Sequence, residues 1–230
     1  MHCCKEKKSF VSRVIAIDGP AGAGKSTVAK KLATILKYAF LDTGAMYRAL
    51  TLKALRQHVN LEDEHALTSL ARQTVIDLEG DPMTLKVFLD GEDVSEEIRT
   101  LEVTNKTFYV ARTPGVREIM VDWQRTIGGK KNVVVEGRDV TTVVFPCAYR
   151  KFYLDGNVEE RAKRRLKELE SKGQKIDAQQ LLKEVVDRDQ KDMTRKMGAL
   201  KKAEDAIYID STPLTADQVV EKMLQYIKSE

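Results

Sequence analysis

The chain has 230 residues, which is enough for one well-buried domain with a sizeable insertion but short for two full domains. Hydrophobic residues (42%) and charged residues (32%) occur in the proportions of a globular protein, and the modest formal charge of +4 favours small anionic ligands over nucleic acid. The sequence has no apolar run of 18 residues and no secretory signal after Met1. Its three cysteines fit neither a disulfide framework nor a zinc site. We therefore expect a cytoplasmic protein that binds no membrane.

The chain begins with the pattern of a strand, a glycine-rich loop and a helix. Residues 14–17 are apolar and predict a parallel central strand, and the helix after the loop runs from 25 to about 36. A second short strand over 39–41 is followed by a helix from 46 to about 58. This β-loop-α-β-α order is typical of an α/β protein.

The pattern changes between residue 63 and about residue 100. A helix over 64–72 precedes two segments of alternating apolar residues, at 75–78 and 85–89, and Asp90 and Gly91 follow as a turn. These features predict an inserted subdomain with its own hairpin.

The rest of the chain returns to longer helices and buried strands. The predicted elements are a helix over 103–126 with a break near Pro114, strands at 132–135, 152–154 and 207–209, a highly charged helical region from 158 to about 195, and a last helix over 219–227. We therefore expect a mostly parallel central sheet flanked by helices in one domain, preceded by a tail at 1–12.

The glycine-rich loop carries the most specific motif. Its residues, Gly19-Pro20-Ala21-Gly22-Ala23-Gly24-Lys25-Ser26, fit G-x-x-x-x-G-K-[ST] between a predicted strand and a predicted helix. Glycines let backbone N–H groups wrap a phosphate, Lys25 reaches the terminal phosphates, and Ser26 offers its hydroxyl to Mg²⁺. A turn that merely caps a helix is the alternative, but every fixed position matches. We expect this loop, with Thr27, to bind ATP and Mg²⁺.

Several classes of protein use such a loop, and the remaining sequence narrows them. A GTPase needs a guanine-reading N-K-x-D, and the only Asn-Lys pair, Asn105-Lys106, lacks the aspartate. Large motor and transporter ATPases need more chain than remains. These exclusions favour a short kinase.

A kinase that acts on an anionic acceptor needs cations to neutralise the transferring group and to hold the acceptor. Candidate arginines in the first part of the chain are Arg48, Arg99, Arg117 and Arg138. Each could be a solvated surface residue instead, but Arg138 follows a buried strand, where open α/β sheets bind ligands. Asp42 also ends a strand, and it could hold Mg²⁺ or the acceptor or simply cap the next helix.

A second set of arginines lies in the charged helical region. The residues spaced to share a helix face are Arg161, Arg164 and Arg165, and then Arg188, Asp192 and Arg195. Polar helices of this kind resemble a mobile lid, at about 157–196, that brings arginines onto the ATP phosphates and excludes water. A solvent-exposed helix with many salt bridges is the alternative.

Five stretches together resemble the bacterial cytidylate kinases, a branch of the nucleoside monophosphate kinases, over about residues 14–227. The stretches are residues 17–26, 41–48, 97–100, 136–139 and 188–195. The resemblance implies a P-loop kinase fold in which the insertion binds the acceptor. It also implies transfer of the γ-phosphoryl group of ATP to CMP, and to dCMP and more weakly UMP. We further expect a monomer with no nucleic-acid partner.

The resemblance assigns roles to residues of this chain. The acceptor would contact Thr43, Tyr47, Arg48, Arg99, Arg117, Arg138, Asp139, Arg188, Asp192 and Arg195. Among these, Asp139 would recognise the exocyclic amine of cytosine, because uracil presents a carbonyl there. From the loop motif, the strand ends and the charged helices, we expect the catalytic residues to be Lys25, Asp42, Arg161 and Arg188.

Two residues depart from the family pattern, both beside the expected acceptor pocket. Phe108 stands where the family has a small hydroxyl residue, and Thr141 stands where it has glycine. Phe108 would remove a hydrogen bond to the base unless Thr107 replaces it, so the discrimination of CMP from UMP depends on this position.

Two other functions remain open from the sequence. A P-loop kinase for a small metabolite such as shikimate or gluconate would share the loop and the lid but is usually shorter and lacks the insertion. A nucleotide-dependent RNA-binding module is suggested only by the basic pI of about 8.8.

Overall fold

A computed structural model describes residues 12–171, 173 and 177–228. The expected tail, apart from Ser12, lies outside the described residues, as do Cys3 and Cys4. No helix within these ranges is both long enough and apolar enough to cross a membrane.

Five parallel strands form the central sheet. They are β1 (Val14–Asp18), β2 (Ala39–Asp42), β6 (Val133–Gly137), β7 (Arg150–Asp155) and β8 (Ile207–Asp210), in the order β2-β6-β1-β7-β8. In the register of the sheet, Ile17 lies opposite Glu136 on one side and Phe152 on the other. The expectation of a mostly parallel sheet flanked by helices is confirmed.

Helices cover both faces of this sheet. They are α1 (Lys25–Leu36), α2 (Thr43–Arg56), α3 (Glu64–Arg72), α4 (Leu101–Arg112), α5 (Pro114–Lys130), α6 (Val158–Ser171), α7 (Ala178–Thr194) and α8 (Ala216–Lys228). Successive residues of β1 point to opposite faces, so Ala16 packs in the core with α2 to α5, whereas Ile15 packs with α1 and α8. This two-sided burial explains why β1 is apolar at four successive positions.

The segment between α3 and α4 forms a small antiparallel sheet of β3 (Ile76–Glu79), β4 (Lys86–Leu89) and β5 (Glu92–Asp93). The sequence analysis predicted its hairpin but not β5. Val87 and Leu89 of β4 pack into the same hydrophobic core as α2. The small sheet is therefore attached to the rest of the chain by a shared core.

Two local features differ from the sequence prediction. Helix α2 begins at Thr43 rather than residue 46, because the Asp42 carboxylate accepts a hydrogen bond from the backbone N–H of Ala45 at 2.8 Å and caps the helix. The residues after Asp139, Val140–Val144, form a π-helical turn to which no element was assigned. Both features lie at the carboxyl ends of the central strands.

Candidate active site

A cleft of about 1050 Å³ opens at the carboxyl ends of β1, β2 and β6. Because the strands are parallel, their last residues meet at one edge of the sheet, where open α/β folds bind ligands. The walls come from the glycine-rich loop and α1, from α2 and α4, and from α6 and α7. The cleft therefore brings together parts of the chain that are far apart in sequence.

The glycine-rich loop turns from β1 into α1 with backbone conformations that require glycine. Gly22 has φ 75°, and a Cβ added there would lie 2.9 Å from the carbonyl oxygen of Arg161. Gly24, with φ 89°, precedes the first turn of α1, which contains no acidic residue. The backbone N–H groups at this helix end therefore face the cleft as an anion-binding site.

Lys25 is 5% exposed, and its ammonium donates a hydrogen bond to the carbonyl oxygen of Pro20 at 2.8 Å. Burial lowers the pKa of Lys25 to about 7, and the positive charges of Arg138 and Arg188 act in the same direction. The nearby Glu136 carboxylate opposes this shift only in part. A polyanion in the cleft would supply the negative charge that this lysine lacks.

Glu136 and Ser26 form a pair beside Lys25. The Ser26 hydroxyl donates a hydrogen bond to Oε1 of Glu136. Burial raises the pKa of Glu136, and the neighbouring Asp42 carboxylate raises it further. A hydroxyl and a carboxylate at the start of α1 are the oxygen ligands that Mg²⁺ takes beside phosphates, so these residues fit that ion.

Arg188 projects from α7 and makes no hydrogen bond or ion pair with any residue the structure describes. Burial lowers its pKa to about 10, and the adjacent Arg138 guanidinium lowers it as well. Arg138, in contrast, donates to Oδ2 of Asp192 at 2.8 Å. The guanidinium of Arg188 is thus a half-buried cation with no anion among the described residues in direct contact.

A different set of charges lies at the far end of the cleft, around Asp139. Arg117 donates a hydrogen bond to Oδ2 of Asp139, and Arg195 lies 3.7 Å from Oδ1. Although burial raises the pKa of Asp139, both arginines oppose the rise. The Tyr47 ring lies 5.8 Å from the Arg117 guanidinium. This arrangement holds one carboxylate in a fixed position at the cleft wall.

Nearly all of the residues that the sequence predicted for the site line this single cleft. The exceptions are Gly19, Pro20, Arg117 and Arg161. Arg117 lies behind Asp139, at 3% exposure. The cleft also includes Arg48, whose guanidinium is 3.0 Å from the Asp42 carboxylate.

Arg161 occupies a different place from the one expected of a catalytic residue. Its guanidinium donates to the carbonyl oxygens of Gly156 and Ala21, both at 2.8 Å, and to Oδ2 of Asp189 at 2.6 Å. These contacts connect α6 and α7 to the glycine-rich loop. Its position therefore favours support of the loop, and a direct role in catalysis stays a prediction.

Two functional candidates were absent from the predicted site. Glu136 follows three valines near the end of β6. A charged residue in an otherwise apolar buried strand was the sequence signal that could have identified it as a site residue. Asp189, whose Oδ1 accepts a hydrogen bond from the backbone N–H of Ala21 at 3.2 Å, lies next to Arg188 in sequence. Its role depends on a contact across 168 positions, which no local pattern reveals.

The two residues that depart from the family pattern have different surroundings. Phe108 lines the cleft, and Lys191 of α7 lies 5.7 Å from its ring. Thr141 does not line it, because its side chain is 1% exposed and donates to the Asp18 carboxylate at 2.6 Å. Thr141 therefore does not line the cleft itself, and its place beside the acceptor pocket stays a prediction.

Comparisons with known proteins agree on one family. The family model for cytidylate kinase matches residues 15–229. The cytidylate kinase of Caldanaerobacter subterraneus subsp. tengcongensis is 52% identical over 93% of this chain and 94% of its own length. That of Desulforamulus reducens is 50% identical over 94% of this chain and 97% of its own length.

A solved structure supports the fold alone. An uncharacterized protein from Eubacterium ventriosum matches with a TM-score of 0.53 at 14% identity, covering 95% of this chain and 100% of that chain.

The lowered pKa of Lys25 predicts that ATP binding takes up a proton. At pH 8 a lysine of pKa about 7 is mostly neutral, and adjacent phosphates would restore its charge. Binding of ATP without Mg²⁺ should therefore take up about one proton. Calorimetric titrations in buffers of different ionisation enthalpy measure this number. The Lys25→Met variant should take up far less, and no uptake by the unaltered chain would contradict the lowered pKa.

Proposed function

The chain belongs to the cytidylate kinase family, and we propose that it transfers the γ-phosphoryl group of ATP to CMP in this cleft, giving CDP and ADP. The observation that carries the proposal is a single cleft with a phosphate-binding loop at one end and a fixed carboxylate at the other, with buried and half-buried cations between them. Neither a small-metabolite kinase nor an RNA-binding module has support comparable to the family match. The monomeric state and the cytoplasmic location stay predictions.

The loop end of the cleft binds the triphosphate of ATP. Backbone N–H groups from Gly22 to Lys25 surround the phosphates, and the Lys25 ammonium leaves the Pro20 carbonyl to contact them. Ser26 and Glu136 would hold Mg²⁺, which neutralises phosphate charge and orients the triphosphate when bound. Asp42 lies near enough to Glu136 to raise its pKa, so its charge contributes to the same environment.

The middle of the cleft stabilises the charge of the transferring group. Phosphoryl transfer needs little covalent assistance from a protein, so catalysis depends on positioned cations. Arg188 suits this role because, within the part of the chain that the structure describes, no anion contacts its guanidinium before substrates bind. Arg138 and Arg48 hold the acceptor phosphate nearby, and each is itself positioned by an aspartate.

The far end recognises the base. The Asp139 carboxylate accepts a hydrogen bond from the exocyclic amine of cytosine, whereas the carbonyl of uracil in the same place would be repelled. Thr107 cannot donate to the base in its present arrangement, because its hydroxyl already donates to the carbonyl of Val103 at 2.7 Å. Since Phe108 has no hydroxyl, Asp139 carries most of the preference for CMP over UMP. We expect dCMP to be accepted.

The insertion and the charged helices contribute movable walls. Met83 and Arg99 of the insertion line the cleft opposite Arg188, and α6 and α7 bring Arg164 and Lys191 to it. We infer that the region at about 63–100 binds the acceptor and that the region at about 157–196 acts as a lid over ATP. Closing such walls excludes water, which would otherwise compete as the phosphoryl acceptor.

Lys25→Ala should abolish turnover while leaving the fold intact. The ammonium contacts the transferring phosphates, and its loss should lower kcat by at least about a hundred-fold. Stability should change little, because burial already disfavours the charge of this lysine. Steady-state kinetics and thermal unfolding test both points, with exposed Lys222→Ala of α8 as the control. Near-normal rates in Lys25→Ala would contradict the assigned role of the loop.

Arg188→Ala should separate catalysis from stability. The value of kcat/KM for CMP should fall by a factor on the order of a hundred, because a charge-assisted contact in the transition state is lost. The Tm should not fall, because no hydrogen bond or ion pair to a described residue is removed. Lys183→Ala, an exposed change on the same helix, is the matched control. Unchanged kinetics would mean that Arg188 takes no part in catalysis and that α7 is only a solvent-exposed helix.

A further inference from the structure

Asp18 is a completely buried carboxylate that phosphoryl transfer does not use. It is the last residue of β1, and its side chain lies beneath the cleft rather than in its lining. Oδ1 accepts a hydrogen bond from the backbone N–H of Val140 at 2.9 Å. Oδ2 accepts from the backbone N–H of Thr141 at 2.7 Å and from the Thr141 hydroxyl at 2.6 Å. Three donors from two adjacent residues thus converge on one carboxylate.

Those donors directly follow the residue that reads the base. Val140 and Thr141 begin the π-helical turn Val140–Val144, and the carbonyl of Asp139 accepts from the N–H of Val143 at 2.8 Å within the same turn. The backbone of Asp139 is therefore anchored on its carboxyl side by Asp18. Its side chain is anchored separately by Arg117.

Asp18 also precedes the first glycine of the phosphate-binding loop. A contact between Asp18 and Thr141 therefore connects the strand that ends in this loop to the turn that positions Asp139. Burying a carboxylate lowers the stability of the folded chain unless hydrogen-bond donors surround it. The distance between the end of β1 and the turn at Val140–Val144 is therefore tightly constrained. Burial raises the pKa of Asp18 to about 6 even with all three donors in place. Loss of one donor would leave the charge poorly compensated.

We propose that Asp18 and Thr141 are positioning residues for base recognition, the Thr141 hydroxyl fixing the Asp139 carboxylate relative to the phosphate-binding loop. The proposal rests on the assigned role of Asp139 in reading cytosine. The pair should control KM for CMP and the ratio of kcat/KM between CMP and UMP. Loss of the Thr141 hydroxyl should have little effect on kcat or on KM for ATP, because this hydroxyl donates to Asp18 and not to Lys25 or Arg188. The Asp18 charge itself raises the pKa of Lys25, so Asp18 variants are judged on KM for CMP and on the CMP/UMP ratio.

Thr141→Val tests the hydroxyl with almost no change in side-chain shape. Loss of one hydrogen bond to a charged group should raise KM for CMP about tenfold and lower the CMP/UMP ratio, with kcat within about twofold. Thr141→Ser restores a hydroxyl and should return KM and the ratio towards the original values. Thr126→Val, an exposed change whose hydroxyl donates only to the carbonyl of Asp122, is the control and should alter neither.

Asp139→Asn separates failure of this inference from failure of the proposed function. If Asp139→Asn lowers the CMP/UMP ratio but Thr141→Val changes only the Tm, the pair serves stability and the positioning role is overturned. If Asp139→Asn leaves the ratio unchanged, Asp139 does not read the base, and the inference falls with the assignment on which it rests.

A second variant covers the case in which Thr141→Val does not fold. Asp18→Asn keeps the shape of the side chain but replaces one acceptor oxygen with an N–H group. The same rise in KM and fall in the CMP/UMP ratio are expected. Failure of both variants to fold would mean that the pair serves the fold alone, and it would overturn the proposal.

Discussion

Positive charge gathered in a partly buried cleft is the constraint on which the site depends. Lys25, Arg138 and Arg188 lie close enough for the charge of each arginine to lower the pKa of Lys25, and Arg188 has no described anion in contact. Such an arrangement is unfavourable in the unliganded protein, because burial removes water without replacing it by negative charge. The phosphates of two nucleotides supply that charge. The cations are thus arranged for a ligand rather than for stability.

The fold holds these cations in place through neutral or paired groups outside the reacting centre. Arg161 links α6 and α7 to the glycine-rich loop, and the Asp18 carboxylate links the end of β1 to the turn after Asp139. Both connections are buried, so few alternative arrangements are open to them. A cleft built in this way needs little rearrangement at the reacting groups, and this preorganisation is the main source of electrostatic catalysis.

Much of the fold and the loop could be predicted from sequence because the signals are local. The apolar run of β1, the glycines and Lys25 fall within a dozen residues, and their spacing is set by one turn between a strand and a helix. The partners of Ser26 and Asp18 lie 110 to 123 positions away, so only the folded chain reveals them. Thr141 is the clearest case: Asp139, two residues earlier, lines the cleft, whereas the Thr141 side chain is buried against Asp18.

A crystal structure with CMP and a non-hydrolysable ATP analogue tests the central claim most directly. We expect the guanidinium of Arg188 and the ammonium of Lys25 to donate hydrogen bonds to phosphate oxygens, with the exocyclic amine of cytosine within hydrogen-bond reach of the Asp139 carboxylate. A complex in which Arg188 still contacts no phosphate, with the base bound away from Asp139, would contradict the account.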